Sequence, residues 1–186
     1  VSGCSSCLVL MLHCLSIRVF VFPQENISNI CPILKDPAAL KAVIDLFEEH
    51  VRNNHQHVDL IVGKKNKSRA LKLLLHPLYP VVLITNMCTA ARCHISVVQP
   101  SVSVSVTLFA LFLQAEAEIQ EDAVAPGQRV LLVDDLLATG GTLYAASELM
   151  RKQQAEVLGC MVVIELKELN GVDKLKLHRV FSLLQY

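Results

Sequence analysis

Residues Val130–Thr142 read Val-Leu-Leu-Val-Asp-Asp-Leu-Leu-Ala-Thr-Gly-Gly-Thr and hold the chain's most reactive-looking grouping. Asp134 and Asp135 follow an apolar run without a break. Adjacent carboxylates can accept hydrogen bonds from sugar hydroxyls and stabilise positive charge that develops beside them. Ala138–Thr142 follows almost at once, with successive backbone N–H groups, two hydroxyls, and glycines able to adopt positive φ. Placed at a helix start, such a turn is an anion cradle by geometry and dipole. Paired acids beside an anion cradle suit one ligand class, a sugar phosphate.

That chemistry needs a strand to carry the acids and a helix to carry the cradle. Val130–Val133 is apolar without alternation, the pattern of a strand buried on both faces of a parallel sheet. The acids then stand at a strand's carboxyl end, where open α/β sheets bind ligands. A helical pattern runs over Leu143–Gln154, a second strand over Val157–Glu165, and Leu169–Gly171 closes it in a turn. Strand, helix and strand in that order imply a right-handed βαβ unit. Upstream, Leu40, Val43, Ile44, Leu46 and Phe47 give Pro37–Asn53 a helical period, with Asp36 placed as N-cap. Val58–Val62 reads as a short buried strand ending at Gly63, and Pro126-Gly127 marks a turn within Glu121–Gln128.

Val130–Thr142 resembles the phosphoribosyl-diphosphate motif of the type I phosphoribosyltransferases, in the form found in the adenine phosphoribosyltransferase family. Ile27–Asp36, Val58–Gly63, Ala115–Val130 and Ala155–Tyr186 resemble other parts of the same family. The resemblance implies an α/β fold of the type I phosphoribosyltransferase kind, a mostly parallel sheet flanked by helices. It implies a pentosyltransferase that joins adenine to 5-phosphoribosyl 1-diphosphate, releasing diphosphate and AMP, in purine salvage. Asp134 and Asp135 would hold the ribose hydroxyls, and Ala138, Thr139, Gly140, Gly141 and Thr142 the 5′-phosphate. Mg²⁺ would be the cofactor, bridging diphosphate and ribose oxygens, and a cytoplasmic homodimer the working state. No side chain is assigned to the metal.

The resemblance stops at 1–24 and 64–114, so the central part of the fold is expected to be disrupted. The domain organisation expected is a non-family segment at 1–25 and a single phosphoribosyltransferase-like domain at 26–186, interrupted at 64–114. After Gly63 the family carries Leu-Asp-Ser-Arg-Gly, whereas this chain has Lys64-Lys65-Asn66-Lys67-Ser68-Arg69-Ala70. Counted back from Ala115-Glu116, the family's mobile-loop Glu and Tyr fall on Leu111 and Phe112, which cannot move a proton. Ser103–Gln114 and Val19–Gln24 can both be written in pyrimidine-rich codons ending in CAG, as a translated splice acceptor would be. Intron-derived sequence at 1–24 and 64–114 is one reading, with poor packing, a poorly determined conformation and few native-like strands expected across 64–114. A divergent paralogue with a hydrophobic insertion is the other. Either leaves an alternative function, a binding module for AMP or phosphoribosyl diphosphate with impaired catalysis.

Bulk properties narrow the field. The 186 residues suffice for an α/β domain with a real core. A formal net charge of +0 and a pI of about 7.2 give no electrostatic footprint for nucleic acid. The seven cysteines lack framework spacing, and Cys4 with Cys7 has no second pair at zinc spacing, so a reduced cytosolic chain is expected. Mean hydropathy is high at +0.46, yet Leu8–Leu12 is too short to span a bilayer and lacks the flanks of a signal peptide. The Ser/Val alternation of Ser101–Val106 favours a strand over a spanning helix. His50, His55, His57 and His178 are read as surface or core residues rather than ligands. A chain opening on Val1 reads as a fragment or an incomplete gene model.

Overall fold

Unbroken apolar runs at Val130–Val133 and Met161–Ile164 lie within central strands. The computed structural model describes residues 36–55, 57–64, 79–88, 103–110, 113–120 and 122–186. The chain divides into two compact units, Val1–Gln56 and His57–Tyr186.

In the first unit, α1 spans Pro37–Asn54. Asp36 caps it as expected, its carboxylate accepting from the Ala38 amide at 2.8 Å and the Ala39 amide at 3.4 Å. Pro37 follows at the first helical position, where its missing N–H costs nothing. Ala39, Leu40, Val43, Phe47 and Val51 recur along one helix face and are buried. The family-like stretch at 27–35 and the segment before it lie outside the described residues.

The second unit is a seven-stranded sheet: β1 (Leu60–Lys64), β2 (Val81–Cys88), β3 (Ser103–Ala110), β4 (Leu113–Gln120), β5 (Arg129–Leu137), β6 (Glu156–Glu165) and β7 (Val180–Gln185). Its order is β3-β4-β2-β1-β5-β6-β7. Neighbours along β2-β1-β5-β6-β7 pair in parallel, while β4 runs antiparallel to both β2 and β3. Helix α2 (Gly141–Lys152) joins β5 to the neighbouring β6. The mostly parallel α/β sheet expected from the sequence is the one observed.

Strand β5 sits between β1 and β6, and Val130–Val133 are fully buried, as a continuous apolar run requires in that place. Val130 and Leu132 share one core with Leu143, Ala146, Leu149 and Met150 of α2 and with Cys160 and Val162 of β6. An extra residue, Leu158, bulges β6, where Val157 faces Val130 but Gly159 faces Leu131. Before β5, Gly127 has φ +80° and the Gln128 amide donates to the Ala125 carbonyl at 3.2 Å, the type II geometry that Pro126-Gly127 favours.

Strand boundaries depart from the sequence reading in three places. β1 is displaced to Leu60–Lys64, with Gly63 inside it rather than closing it. β5 continues through the acid pair to Leu137, because Leu136 and Leu137 keep the ladder with Ile164 and Glu165. The span 64–114, expected to hold few strands, contributes β2, β3 and the start of β4. The reason is compositional: Val81-Val82-Leu83-Ile84 and the alternating Ser103–Val106 suit a pleated backbone whatever their origin. Residues 65–78, 89–102 and 111–112 are outside the described residues, and with them Ser68, Arg69, Leu111 and Phe112. Among the described residues no helix is long and apolar enough to cross a membrane.

Candidate active site

Asp134 and Asp135 lie near the carboxyl end of β5, inside the strand because it extends to Leu137. Successive side chains of a strand leave opposite faces, so the two carboxylates flank the strand rather than share one side. Both are buried, Asp134 at 5% and Asp135 at 9% exposure, in a protein whose other described acids are mostly at the surface. The Asp134 carboxylate accepts from the Asp135 backbone amide at 3.0 Å, which fixes its orientation against the strand. Acids removed from water act on nearby charge through a lower dielectric than surface acids do.

The turn after β5 reaches helix geometry sooner than the apolar pattern indicates. α2 begins at Gly141, ahead of Leu143, since the first helical bond runs from the Tyr144 amide to the Gly140 carbonyl at 2.9 Å. Gly140 is the N-cap in left-handed conformation, φ +74°, where other residues are strained. It has no side chain to cap the helix, so the amides of Gly141, Thr142 and Leu143 stand in the first turn without helical partners. Thr139 is exposed, Ala138, Gly141 and Thr142 are half-buried, and Gly140 is buried. The acid pair, the left-handed glycine and the uncapped first turn thus follow one another along a single stretch of backbone. Arg151 and Lys152 complete the dipole at the far end of α2.

A second set of charged residues lies at the opposite end of β5. Asp59 accepts from the Arg129 amide at 2.8 Å and faces His57 Nε2 at 2.7 Å, while Arg129 Nε lies 3.6 Å from Glu156. The Arg129 amide is the main cause holding the Asp59 carboxyl below the usual carboxylate range, and His57 adds to it. This cluster ties strand beginnings together, away from the acid pair. Cys160 is buried in the core, and burial pushes its thiol up to about 12, so it is an inert packing residue.

Two features of the carboxyl edge were not evident in the sequence reading. Glu165 ends β6 beside Leu137 and is 9% exposed. Its Oε2 accepts from Ser182 Oγ at 2.7 Å and from Gln185 Nε2 at 3.1 Å, tying β6 to β7. An acid closing an apolar run was its signal, the same one that marks Asp134. Gly171 is the other, and nothing local to it announces the backbone it touches.

Comparison with known proteins agrees with this geometry. The family model described as a phosphoribosyl transferase domain matches residues 32–184, a span that includes 64–114. Adenine phosphoribosyltransferases of Cricetulus griseus and Homo sapiens are each 41% identical over 168 residues, 90% of this chain and 89% of theirs. The crystal structure of the Thermoanaerobacter pseudethanolicus adenine phosphoribosyltransferase superposes with a TM-score of 0.74 at 28% identity, covering 89% of this chain and 92% of that one. The Saccharomyces cerevisiae enzyme, solved with an imino-altritol bisphosphate and adenine, gives 0.72 at 30% identity, with 88% and 90% covered. Similarity of this depth favours a transferase over a binding module that has lost catalysis. The chain belongs to the phosphoribosyltransferase family, among the adenine phosphoribosyltransferases.

Proposed function

We propose that the chain transfers the 5-phosphoribosyl group from 5-phosphoribosyl 1-diphosphate to adenine, giving AMP and diphosphate. The observation that carries this reading is the run of β5, acid pair, left-handed Gly140 and uncapped α2 at the carboxyl edge of a parallel sheet. In the reaction the bond from the anomeric carbon to the diphosphate oxygen breaks, a bond to an adenine ring nitrogen forms, and adenine gives up a ring proton. Positive charge gathers on the ribosyl ring as the old bond lengthens ahead of the new one.

Asp134 and Asp135 are assigned the ribose hydroxyls, and their charge steadies the ring in the transition state. Ala138, Thr139, Gly140, Gly141 and Thr142 are assigned the 5′-phosphate, through the Thr hydroxyls and the first-turn amides. Gripping the far end of the donor orients the anomeric carbon and makes the displacement effectively intramolecular. Among the described residues no three His, Cys, Asp or Glu side chains converge to hold a metal alone. A single buried carboxylate near the carboxyl end of β5, Asp134 or Asp135, nonetheless offers the hard oxygen donor that Mg²⁺ takes, the ion keeping substrate phosphates in the rest of its shell. When bound it would neutralise charge on the departing diphosphate. We further propose one phosphoribosyltransferase-like domain over 26–186, acting as a cytoplasmic homodimer, with adenine, phosphoribosyl diphosphate and AMP as its small-molecule partners.

Incubating the chain with adenine, phosphoribosyl diphosphate and Mg²⁺ should yield AMP and diphosphate in equal amounts. Titration calorimetry should show ribose 5-phosphate binding that is lost in the Asp134→Ala, Asp135→Ala double variant. Equal binding by a folded double variant would overturn the assignment of the acid pair.

A further inference from the structure

The connection between β6 and β7 is a chain of tight turns rather than a helix long enough to cover the sheet. It comprises two 3₁₀ segments, Lys167–Leu169 and Gly171–Leu175. Each step is closed by a backbone bond: Leu169 to Leu166 at 3.1 Å, Asn170 to Lys167 at 3.0 Å, Asp173 to Asn170 at 3.1 Å, and His178 to Leu175 at 2.8 Å. Both ends are anchored. The Leu166 amide donates to the Leu137 carbonyl at 2.9 Å, and Leu175 is buried in the core that contains Leu143 and Leu149.

Between these anchors the connection meets the turn after β5, backbone against backbone. A Cβ on Gly171 would stand 2.2 Å from the Ala138 carbonyl oxygen, 2.9 Å from the Gly140 nitrogen and 3.0 Å from Leu137 Cδ1. A Cβ on Gly140 would stand 2.3 Å from the Gly171 carbonyl oxygen. The two glycines answer different needs. Gly140 requires both a left-handed backbone and open space; Gly171 has no positive φ and requires only the space. The strain at this contact is carried by its neighbour Asn170, at φ +49°.

We propose that Gly171 is a positioning residue for donor binding: its missing side chain lets the β6–β7 connection brace Ala138–Gly140 and aim the first amides of α2 at the 5′-phosphate. This rests on the reading of Ala138–Thr142 as the phosphate grip. The brace gives a partly exposed, glycine-containing turn a backbone neighbour in place of a side-chain cap. Its loss acts on the donor and not on the base, because the contact lies wholly against the phosphate turn.

The test uses the full chain with Gly171→Ala, the milder Asn170→Ala, and a Thr139→Ala, Thr142→Ala control. Asn170→Ala loosens the left-handed residue beside the contact without placing an atom in it. Ribose 5-phosphate affinity, the two substrate KM values and amide hydrogen exchange over 138–142 are the readouts. For Gly171→Ala we expect the ribose 5-phosphate Kd and the phosphoribosyl-diphosphate KM to rise about tenfold or more, since small misplacements of binding groups cost that much. The adenine KM should stay within about twofold, and exchange over 138–142 should quicken. Asn170→Ala should move the same readouts the same way by a smaller factor, and it decides the matter if Gly171→Ala does not fold. Wild-type affinity and exchange in the folded glycine or asparagine variant, with the threonine control impaired, would overturn the role of Gly171. Unimpaired binding by the threonine control would instead overturn the phosphate reading beneath it.

Discussion

The two halves of the sheet were built under different demands. From β5 to β7 the backbone, the core and the ligand edge all use the same residues: Val130 and Leu132 fill the core, and Asp134 and Asp135 end the same run. On the other side, β2 pairs with β1 from Ile61↔Val81 to Lys64↔Ile84, and β3 with β4 from Ser103↔Gln120 to Ala110↔Leu113. The described strands pair in register there, although the sequence reading expected the family's motif residues to be absent from this span. A sheet asks little of its strands, since almost every residue brings the same N–H and C=O and a period-2 pattern does the rest. A site asks for particular atoms. Strands therefore form on far looser terms than a site does.

Substitution at each side measures that asymmetry. Replacing both Asp134 and Asp135 by Ala should cut AMP formation by about 10³-fold or more, because charge stabilisation and ribose positioning are lost together. A steady-state assay checks this, with circular dichroism to confirm the fold. Outside the described residues, Leu111→Glu restores the acid that the family resemblance puts at this position. It should raise turnover about tenfold to hundredfold, the lower range of a placed proton-transfer group, while ribose 5-phosphate affinity stays unchanged. No gain in kcat would mean the divergence of 64–114 runs deeper than one side chain.

Stability should divide the same way. Leu132→Ala opens a cavity where the residue is fully buried and should cost about 3 kcal/mol in urea unfolding. Gly140→Ala forces a side chain into a left-handed backbone and against the Gly171 carbonyl, costing about 2 kcal/mol or more. Leu83→Ala, at a half-buried position of β2, should cost only about 1 kcal/mol. Equal costs for the two leucines would show that both sides are packed alike.

The smallest effect expected is that of pH at the far end of β5. The folded Asp59 carboxyl titrates below its unfolded value, so its contribution is present above the unfolded value and lost as pH falls through the lowered one. Asp59→Asn should lower stability slightly at neutral pH and flatten the acid limb below about pH 4, the effect being small because solvent screens a half-buried carboxylate. An acid limb unchanged in the variant would overturn this assignment.

Much of the site could be read from the chain because its signals are local. An apolar run, two acids, small residues and a helical period follow one another without a gap, so strand, turn and helix each announce themselves in Val130–Lys152. The same locality made Asp36 visible as a cap and Pro126-Gly127 as a turn. Boundaries were less legible. The unbroken apolar run ends at Val133, but β5 goes on to Leu137 because β6 continues to offer partners. Likewise α2 starts at Gly141 because hydrogen bonding, not apolar spacing, defines its first turn.

What the sequence by itself determined is the strand, turn, helix and strand order from Val130 to Glu165 and the acids and glycines carried along it, through pattern and the chemistry of adjacent side chains. What only the tertiary structure decided is which strands lie beside β1, that the antiparallel pair β3 and β4 extends the parallel sheet, and that Gly171 rests against Gly140. Those outcomes depend on contacts between residues far apart in the chain, whose free energies exist only once the backbone has closed around them. A glycine chosen for its φ can be suspected from its turn; a glycine chosen for the space beside it needs the neighbour in place.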